Sequence, residues 1–413
     1  MNIALSLAAV ATFTFSYLTD ANAKGPVKQE NDHDKAKNVI LFVGDGMGAA
    51  HRNAIRLATV GKKGELAMNE MPYAGIVHTS STSPVTDSAA AATAMATGVK
   101  TYNGAISLDT RKKPLKTVLE SAKAHGKSTG LVTTSQVTDA TPGAFGAHVA
   151  DRSSQSDIAN QYLKNSKVDV ILGGGEDYWY PKGQSGAYQD HPSEDPTEES
   201  KGTQGNLVND AKKLGYSYVT NAKELKKTNN KKVLGLFANE EMFQQKPEGK
   251  GDIYHPSVSL PEMTNKAIDT LSKNKKGFFL MVEEEATDEM SHVNNAKQMI
   301  KAGQQLDKAV KEAKAFAGKH PDTLVLVAAD HETGGLAIED TDNKDESGEG
   351  ISKEDGPFNV AHSKDQFMID WTRTEHTADD VPLTAMGRNA QLFTGTYENT
   401  HIHNALLKAM GLK

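Results

Sequence analysis

Acidic residues and histidines stand just beyond several apolar runs of this chain, where they could gather into a metal site. Asp45 follows Asn38–Val43, and Glu283 follows Gly277–Val282, with Asp288 and His292 close behind. Asp330 and His331 follow Thr323–Ala328, and His376 lies in Thr374-Glu375-His376-Thr377. Singly, each has a plain structural reading. An acid after a strand serves as a turn or cap residue, Glu283-Glu284-Glu285 reads as a solvated loop, and Asp288 and His292 merely share a helical face. Together they form an oxygen-and-imidazole set of the kind that holds zinc through three protein ligands and leaves one position open. A second feature is Ser88, placed where the polar run ending in Thr86-Asp87 becomes alanine-rich. A helix start there presents free N–H groups and partial positive charge, so a hydroxyl can lie beside a bound anion. Ser88 also fits the simpler role of a helix cap.

The elements that must position these residues alternate. Strands are expected at Asn38–Val43, Ser128–Thr133, Val168–Leu172, Gly277–Val282 and Thr323–Ala328, each a short apolar run. Helical patterns occupy the segment from about Ala49, then Leu115–His125, Leu260–Ser272, Asn294–Phe316 and Ile402–Met410. Such alternation predicts an α/β three-layer sandwich, a central mostly parallel sheet with helices on both faces. In that architecture ligands bind beyond the carboxyl ends of the strands, where the acids and histidines fall. Two polar stretches read as surface insertions, at about 181–232 and 339–370, the second a small cap-like insertion.

Composition narrows the class. The 413 residues carry a net charge of −7 with both signs interspersed, without the basic patch of a nucleic-acid partner. There is no cysteine, which excludes disulfides, thiolate zinc sites and a cysteine nucleophile. Residues 3–18 are apolar and Ala21-Asn22-Ala23 follows, so residues 1–23 read as a secretory signal peptide, although no Lys or Arg precedes the apolar run. Residues 24–413 are then expected to form a single domain, periplasmic or secreted. No other stretch has the ~20 apolar residues of a membrane span.

Six segments resemble the alkaline phosphatase family, in the family's order. They are VILFVGDGMG at 39–48, VTDSAAAATAMATG at 85–98, TDATPGAFGAHVADR at 138–152, VEEEATDEMSH at 282–292, ADHETGG at 329–335 and EHTADDV at 375–381. The resemblance implies hydrolysis of phosphate monoesters through a covalent phosphoserine on Ser88, with two zinc ions and one magnesium per subunit in a homodimer. One zinc would be held by Asp288, His292 and His376, and the other by Asp45, Asp330 and His331 with Ser88 as its reactive ligand. Magnesium would take Asp45, Thr141 and Glu283, all oxygen donors. Arg152, one of only six arginines among 46 basic residues, matches the phosphate-binding arginine, whose planar fork suits two phosphate oxygens.

The match has departures. Asp139 stands at an acidic position near magnesium where other members carry histidine. Glu289 stands where Lys, His or Trp usually faces the phosphate. Glu284 and Glu285 replace small residues, and Ala238 stands where animal members have a calcium-site glutamate, so no calcium is expected. His401 and His403 read as surface helix residues, and His78 and His148 have no assigned role. A phosphodiesterase of the same superfamily and a non-catalytic phosphate- or metal-binding protein are the competing readings. A sulfatase is disfavoured, because Thr82-Ser83-Pro84-Val85-Thr86 lacks the arginine of that motif.

Overall fold

A computed structural model describes residues 34–244, 246–247, 250, 252–341 and 353–412. The signal peptide expected over residues 1–23 lies outside them. The first half of the chain builds β1 (Asn38–Gly44), α1 (Ala49–Val60), β2 (Tyr73–His78), α2 (Ser88–Thr97), α3 (Val118–Ala124), β3 (Ser128–Gln136), α4 (Ala140–Gly146), α5 (Gln155–Lys164) and β4 (Val170–Gly174). There follow α6 (Leu207–Lys213), β5 (Ser217–Val219), α7 (Ala222–Lys227), β6 (Val233–Leu236), α8 (Leu260–Leu271), β7 (Phe278–Glu284), α9 (Ala286–His292), α10 (Ala296–Lys319) and β8 (Thr323–Ala328). The chain closes with β9 (Glu332–Thr333), β10 (Leu336–Glu339), β11 (Lys353–Asn359), β12 (Gln366–Trp371), β13 (His376–Thr377), β14 (Val381–Gly387), β15 (Gly395–Glu398) and α11 (Thr400–Met410).

Ten strands make one sheet in the order β15-β2-β14-β8-β1-β7-β3-β4-β6-β5. Every pairing in it is parallel except those of β14 with β2 and β8. β1, β7 and β8 are buried along their whole lengths, as parallel strands covered on both faces must be. The two faces are visible at consecutive residues of β3. Gly130 abuts Leu271 of α8, and Leu131 lies against Gly146 of α4. Each fully buried aliphatic or aromatic side chain in these strands contributes about 1.5–3 kcal/mol of burial, which fixes the strand ends that carry the site.

Register brings the chemistry to one edge. Val43 is level with Glu283 and Ala328, and Glu283 is level with Thr133. Asp45 leaves β1, Asp330 leaves β8, Asp288 and His292 leave β7, and Asp139 and Thr141 leave β3, all at the carboxyl edge. Ser88 follows β2 there. Because β14 is antiparallel, His376 reaches the same edge by preceding that strand.

One expectation changes. The excursion at 181–232 is not all surface decoration, since β5 within it pairs with β6 and closes one edge of the main sheet. Its three residues are too short to show a period. In the described part of the excursion at 339–370, β10, β12 and β11 form a separate antiparallel sheet. Among the described residues no helix is long and apolar enough to cross a membrane.

Candidate metal centre

Local sequence places each side chain. α9 is a two-turn helix, and its i, i+4 pair Asp288 and His292 projects from one face, with Oδ2 and Nε2 3.1 Å apart. His376 brings its Nε2 to 3.1 Å from the Nε2 of His292 and 3.8 Å from Asp288 Oδ1. On the other side, His331 Nε2 lies 3.1 Å from Asp330 Oδ2 and 3.4 Å from Asp45 Oδ1. Asp45, Asp330 and His331 offer ligand atoms all within 4.8 Å of one another, and so do Asp288, His331 and His376. The Asp45–Asp330–His331 grouping is one of the two expected from sequence; the other carries His331 where His292 was expected, and His292 Nε2 stands 3.1 Å from both Asp288 Oδ2 and His376 Nε2.

These residues fit divalent cations. Ligands of one tetrahedral zinc stand about 3.4 Å apart for bonds of about 2.1 Å, and the spacings above bracket that value. His292 Nδ1 lies 2.6 Å from the Thr374 carbonyl, and His376 Nδ1 lies 2.9 Å from that of Thr86. Each Nδ1–H is thereby spent on backbone, and both Nε2 atoms are aimed at the same point. Positive charge is demanded there. Burial opposes it, but Asp288 drives the His292 imidazolium up to about 10. A metal ion replaces such a proton. Buried oxygens point the same way, since Asp45 Oδ1, Asp330 Oδ2 and Glu283 Oε1 have no hydrogen-bond partner among the described residues. Burial, reinforced by Asp330, Asp288 and Glu283, holds the Asp45 carboxyl well above its usual range.

Ser88 is the first residue of α2, with its Oγ 3.1 Å from His331 Nε2. It does not cap the helix. Asp87 does, accepting from Ala90 N at 2.9 Å through Oδ1 and from Gly104 N at 2.7 Å through Oδ2. Both residue types are good caps, so sequence alone left the register open by one. With Asp87 as the cap, the Ser88 hydroxyl is free for the cluster.

Arg152 is held by acids on two sides. Its Nη2 donates to both oxygens of Asp139 at 2.9 Å, and its Nη1 lies 3.9 Å from Asp87 Oδ2. Asp139, expected beside magnesium, is thus first the arginine's partner, while its charge also bears on Glu283. Two contacts involve the oxygen donors expected for magnesium. Thr141 Oγ1 is 3.3 Å from Asp45 Oδ2, and Thr133 Oγ1 donates to Glu283 Oε2 at 2.5 Å.

Glu283, Glu284 and Glu285 are buried, so the solvated-loop reading fails. Glu284 accepts from Thr134 Oγ1 at 2.7 Å and Tyr254 OH at 2.5 Å. Glu289 is half-buried on α9. The surface reading of the two C-terminal histidines also fails in part. His403 is buried against Gly98, while the His401 ring nitrogen lies 2.9 Å from the Leu392 carbonyl. His78 pairs with Asp380 and His148 with Glu120. Sequence reasoning missed Thr333, whose Oγ1 hydrogen-bonds to Asp288 Oδ1 and lies 3.2 Å from His331 Nδ1. One hydroxyl so links a ligand of each cluster. Its place two residues after His331 was the available signal.

Comparison with known proteins agrees with this geometry. The sequence profile of a family described as Alkaline phosphatase matches residues 36–362 and 340–412. Alkaline phosphatase 4 of Bacillus subtilis is 33% identical, covering 98% of this chain and 96% of the relative. Alkaline phosphatase of Escherichia coli is 34% identical, covering 92% of this chain and 87% of the relative. The alkaline phosphatase structure from the Antarctic bacterium TAB5 superposes with a TM-score of 0.74 at 29% identity, covering 91% of this chain and 99% of that one. A His-to-Asp variant of the TAB5 enzyme, solved with Mg bound in its M3 site, superposes with a TM-score of 0.73 at 28% identity, covering 92% and 99%.

Proposed function

The chain belongs to the alkaline phosphatase family, and from that premise we propose that it hydrolyses phosphate monoesters by way of a phosphoserine on Ser88. The observation that carries this reading is the Ser88 hydroxyl at the start of α2, 3.1 Å from His331 Nε2 and facing the carboxylate–imidazole cluster. Two zinc ions would be held by Asp288, His292 and His376, and by Asp45, Asp330 and His331. Magnesium would be held by Asp45, Thr141 and Glu283. When bound, the cations supply Lewis-acid polarisation and charge neutralisation.

The chain's own groups do the rest. The first N–H groups of α2 and the Arg152 guanidinium bind the phosphoryl oxygens and orient phosphorus toward Ser88. Ser88 Oγ forms a bond to phosphorus as the bond to the alcohol oxygen breaks, and the alcohol leaves carrying a proton. Water then replaces Ser88 on phosphorus, which regenerates the hydroxyl and releases phosphate. Dividing one displacement into two lowers each barrier. Asp87 fixes the helix start that holds the nucleophile, and Asp139 fixes Arg152. The N-terminal sequence supports export, and the family supports a homodimer.

The test is an acid quench during turnover of a phosphate monoester, followed by mass spectrometry of the peptide containing Ser88. One added phosphoryl group is expected there and none in Ser88→Ala. Chelator should abolish turnover. Wild-type rates in Ser88→Ala would defeat the reading.

A further inference from the structure

His51 lies outside every segment with an assigned role, yet its ring packs between two of the pieces of chain proposed to carry cation ligands, α9 and the segment that follows His331. It belongs to the first turn of α1, which starts directly after the Asp45–Gly48 loop, and it is fully buried. Its Nε2 is 3.1 Å from Ser291 Oγ on α9, the helix of Asp288 and His292. Its Nδ1 faces Glu332 Oε1 at 3.7 Å, one residue after His331. Glu332 Cγ also occupies the space where a Cβ on Gly48 would project, so the start of α1 and the His331 segment are pressed together. Trp371 closes the ring's remaining side, edge-on at 6.0 Å.

Serine, histidine and glutamate in this order have the layout of a hydrolytic triad, but the hydrogen bonds run the wrong way for that. Ser291 Oγ donates to Thr287 O at 2.7 Å, so its one proton is committed to backbone, and His51 Nε2–H must be the donor to Ser291. All three side chains are buried, leaving no path for a substrate. The chain of bonds continues structurally. Thr287 Oγ1 donates to Asp45 O at 2.5 Å. Thr287 and Ser291 therefore present one face of α9 to Asp45 and His51, while Asp288 and His292, each one residue on, present the adjoining face to the cluster. A seven-residue helix has little stability of its own, and its orientation comes from such ties.

We infer that His51 is a positioning residue that sets the separation of the two cation clusters, by donating to Ser291 on α9 while wedged against Glu332. This rests on the reading that the clusters bind metal. Losing the tie lets α9 turn on its axis and moves Asp288 and His292 away from His376. Hydrogen bonds made to ligands themselves change metal affinity by about 10- to 100-fold when removed, and the His51–Ser291 tie, one bond further out, is expected at the lower end of that range.

The experiment competes zinc-loaded protein against a chromophoric chelator, with wild type, His51→Leu, His51→Gln and Ser291→Ala in parallel, and records the melting temperature of each. His51→Leu keeps the bulk and loses the donor. His51→Gln keeps a donor within reach of Ser291. Zinc should be lost about 10-fold or more readily from His51→Leu and Ser291→Ala, with His51→Gln close to wild type. A variant combining His51→Leu with Ser291→Ala should be no worse than either single one, because both remove the same bond. Wild-type zinc retention in His51→Leu and Ser291→Ala would overturn the inference. So would equal zinc loss in His51→Gln and His51→Leu, which would mark a role in bulk packing alone. If His51→Leu does not fold, Ser291→Ala decides by the same criterion. A wild-type protein that holds no zinc would instead overturn the metal reading itself, and the positioning role with it.

Discussion

Arg152 and Asp139 are joined through a single nitrogen, with Nη2 donating to both carboxylate oxygens at 2.9 Å. Burial works against the guanidinium charge, but Asp139 outweighs it, with help from Asp87 and Asp45. The pairing aims the arginine and also occupies donors that an incoming phosphate would use. Asp139→Asn keeps the shape and removes the charge. Phosphate should then inhibit about fivefold more tightly, equivalent to ~1 kcal/mol for a partly exposed ion pair. The phosphate inhibition constant against a monoester substrate measures this, and an unchanged constant would mean that Asp139 does not compete with phosphate for Arg152.

His148 gives the fold a pH dependence away from the metal clusters. Its Nε2 lies 2.9 Å from Glu120 Oε1 and its Nδ1 lies 3.0 Å from Ser107 O. Burial lowers the imidazolium, but the Glu120 hydrogen bond and charge and the Ser107 carbonyl carry it above its ordinary value. Its contribution is therefore complete below about pH 6.5 and is lost as pH rises through the raised value. Glu120 behaves oppositely. Burial opposes its charge and His148 and Thr117 favour it, so it is lowered, and its contribution disappears as pH falls below about 4.5. His148→Gln should lower stability by about 1 kcal/mol near pH 6, or roughly 2 °C. The difference in melting temperature from wild type should shrink toward pH 9. A constant difference would place the effect in packing.

Removing the cations should make stability fall with pH. In the stripped protein, burial pushes Glu283 and Glu284 up to about 8. Burial also raises Asp45 and Glu285 well above the carboxyl range. The folded form thus keeps protons that the unfolded chain gives up near pH 4 to 5. Stability from this source is full below that range and is lost as pH rises through about 8. Bound cations require the deprotonated ligands, so their stabilisation grows with pH. Chelator should therefore depress the melting temperature more at pH 9 than at pH 6. Equal depression at both values would contradict the protonated carboxyl set.

The legible parts of this fold are those whose physics is local. β1 and β8 show as unbroken apolar runs because both of their faces are covered, and the acids and histidines show because they sit immediately past such runs. β14 was hidden by Pro382. That residue is tolerated inside the sheet because β14 bonds to β8 only from Thr384 onward, beyond the missing N–H. β5 is three residues long and depends on β6 for its existence. At the site, the one-residue ambiguity between Asp87 and Ser88 as cap could be settled only by seeing which side chain meets Ala90 N. Thr333 and His51 act through partners far apart in sequence. The place of Thr333 two residues after His331 signals only half of its role, and no spacing rule points to its contact with Asp288 or to an imidazole between α9 and Glu332.

Glu289 follows Asp288 on α9, and its charge is felt on both sides. After burial it is the leading cause that raises Glu285, and after Asp288 it helps lift His292. An acid in this position adds negative charge beside the cluster proposed to accept a phosphate dianion. Glu289→Lys swings the local charge by two units, and Glu289→Gln by one. Phosphate inhibition should tighten by about tenfold in the lysine variant, or ~1.4 kcal/mol, with glutamine between it and wild type. The gain should diminish at high salt, because a half-buried charge is partly screened. If both variants are inhibited as wild type is, the Glu289 charge does not reach the phosphate. If only lysine acts and its gain is independent of salt, a direct hydrogen bond to phosphate replaces the field effect.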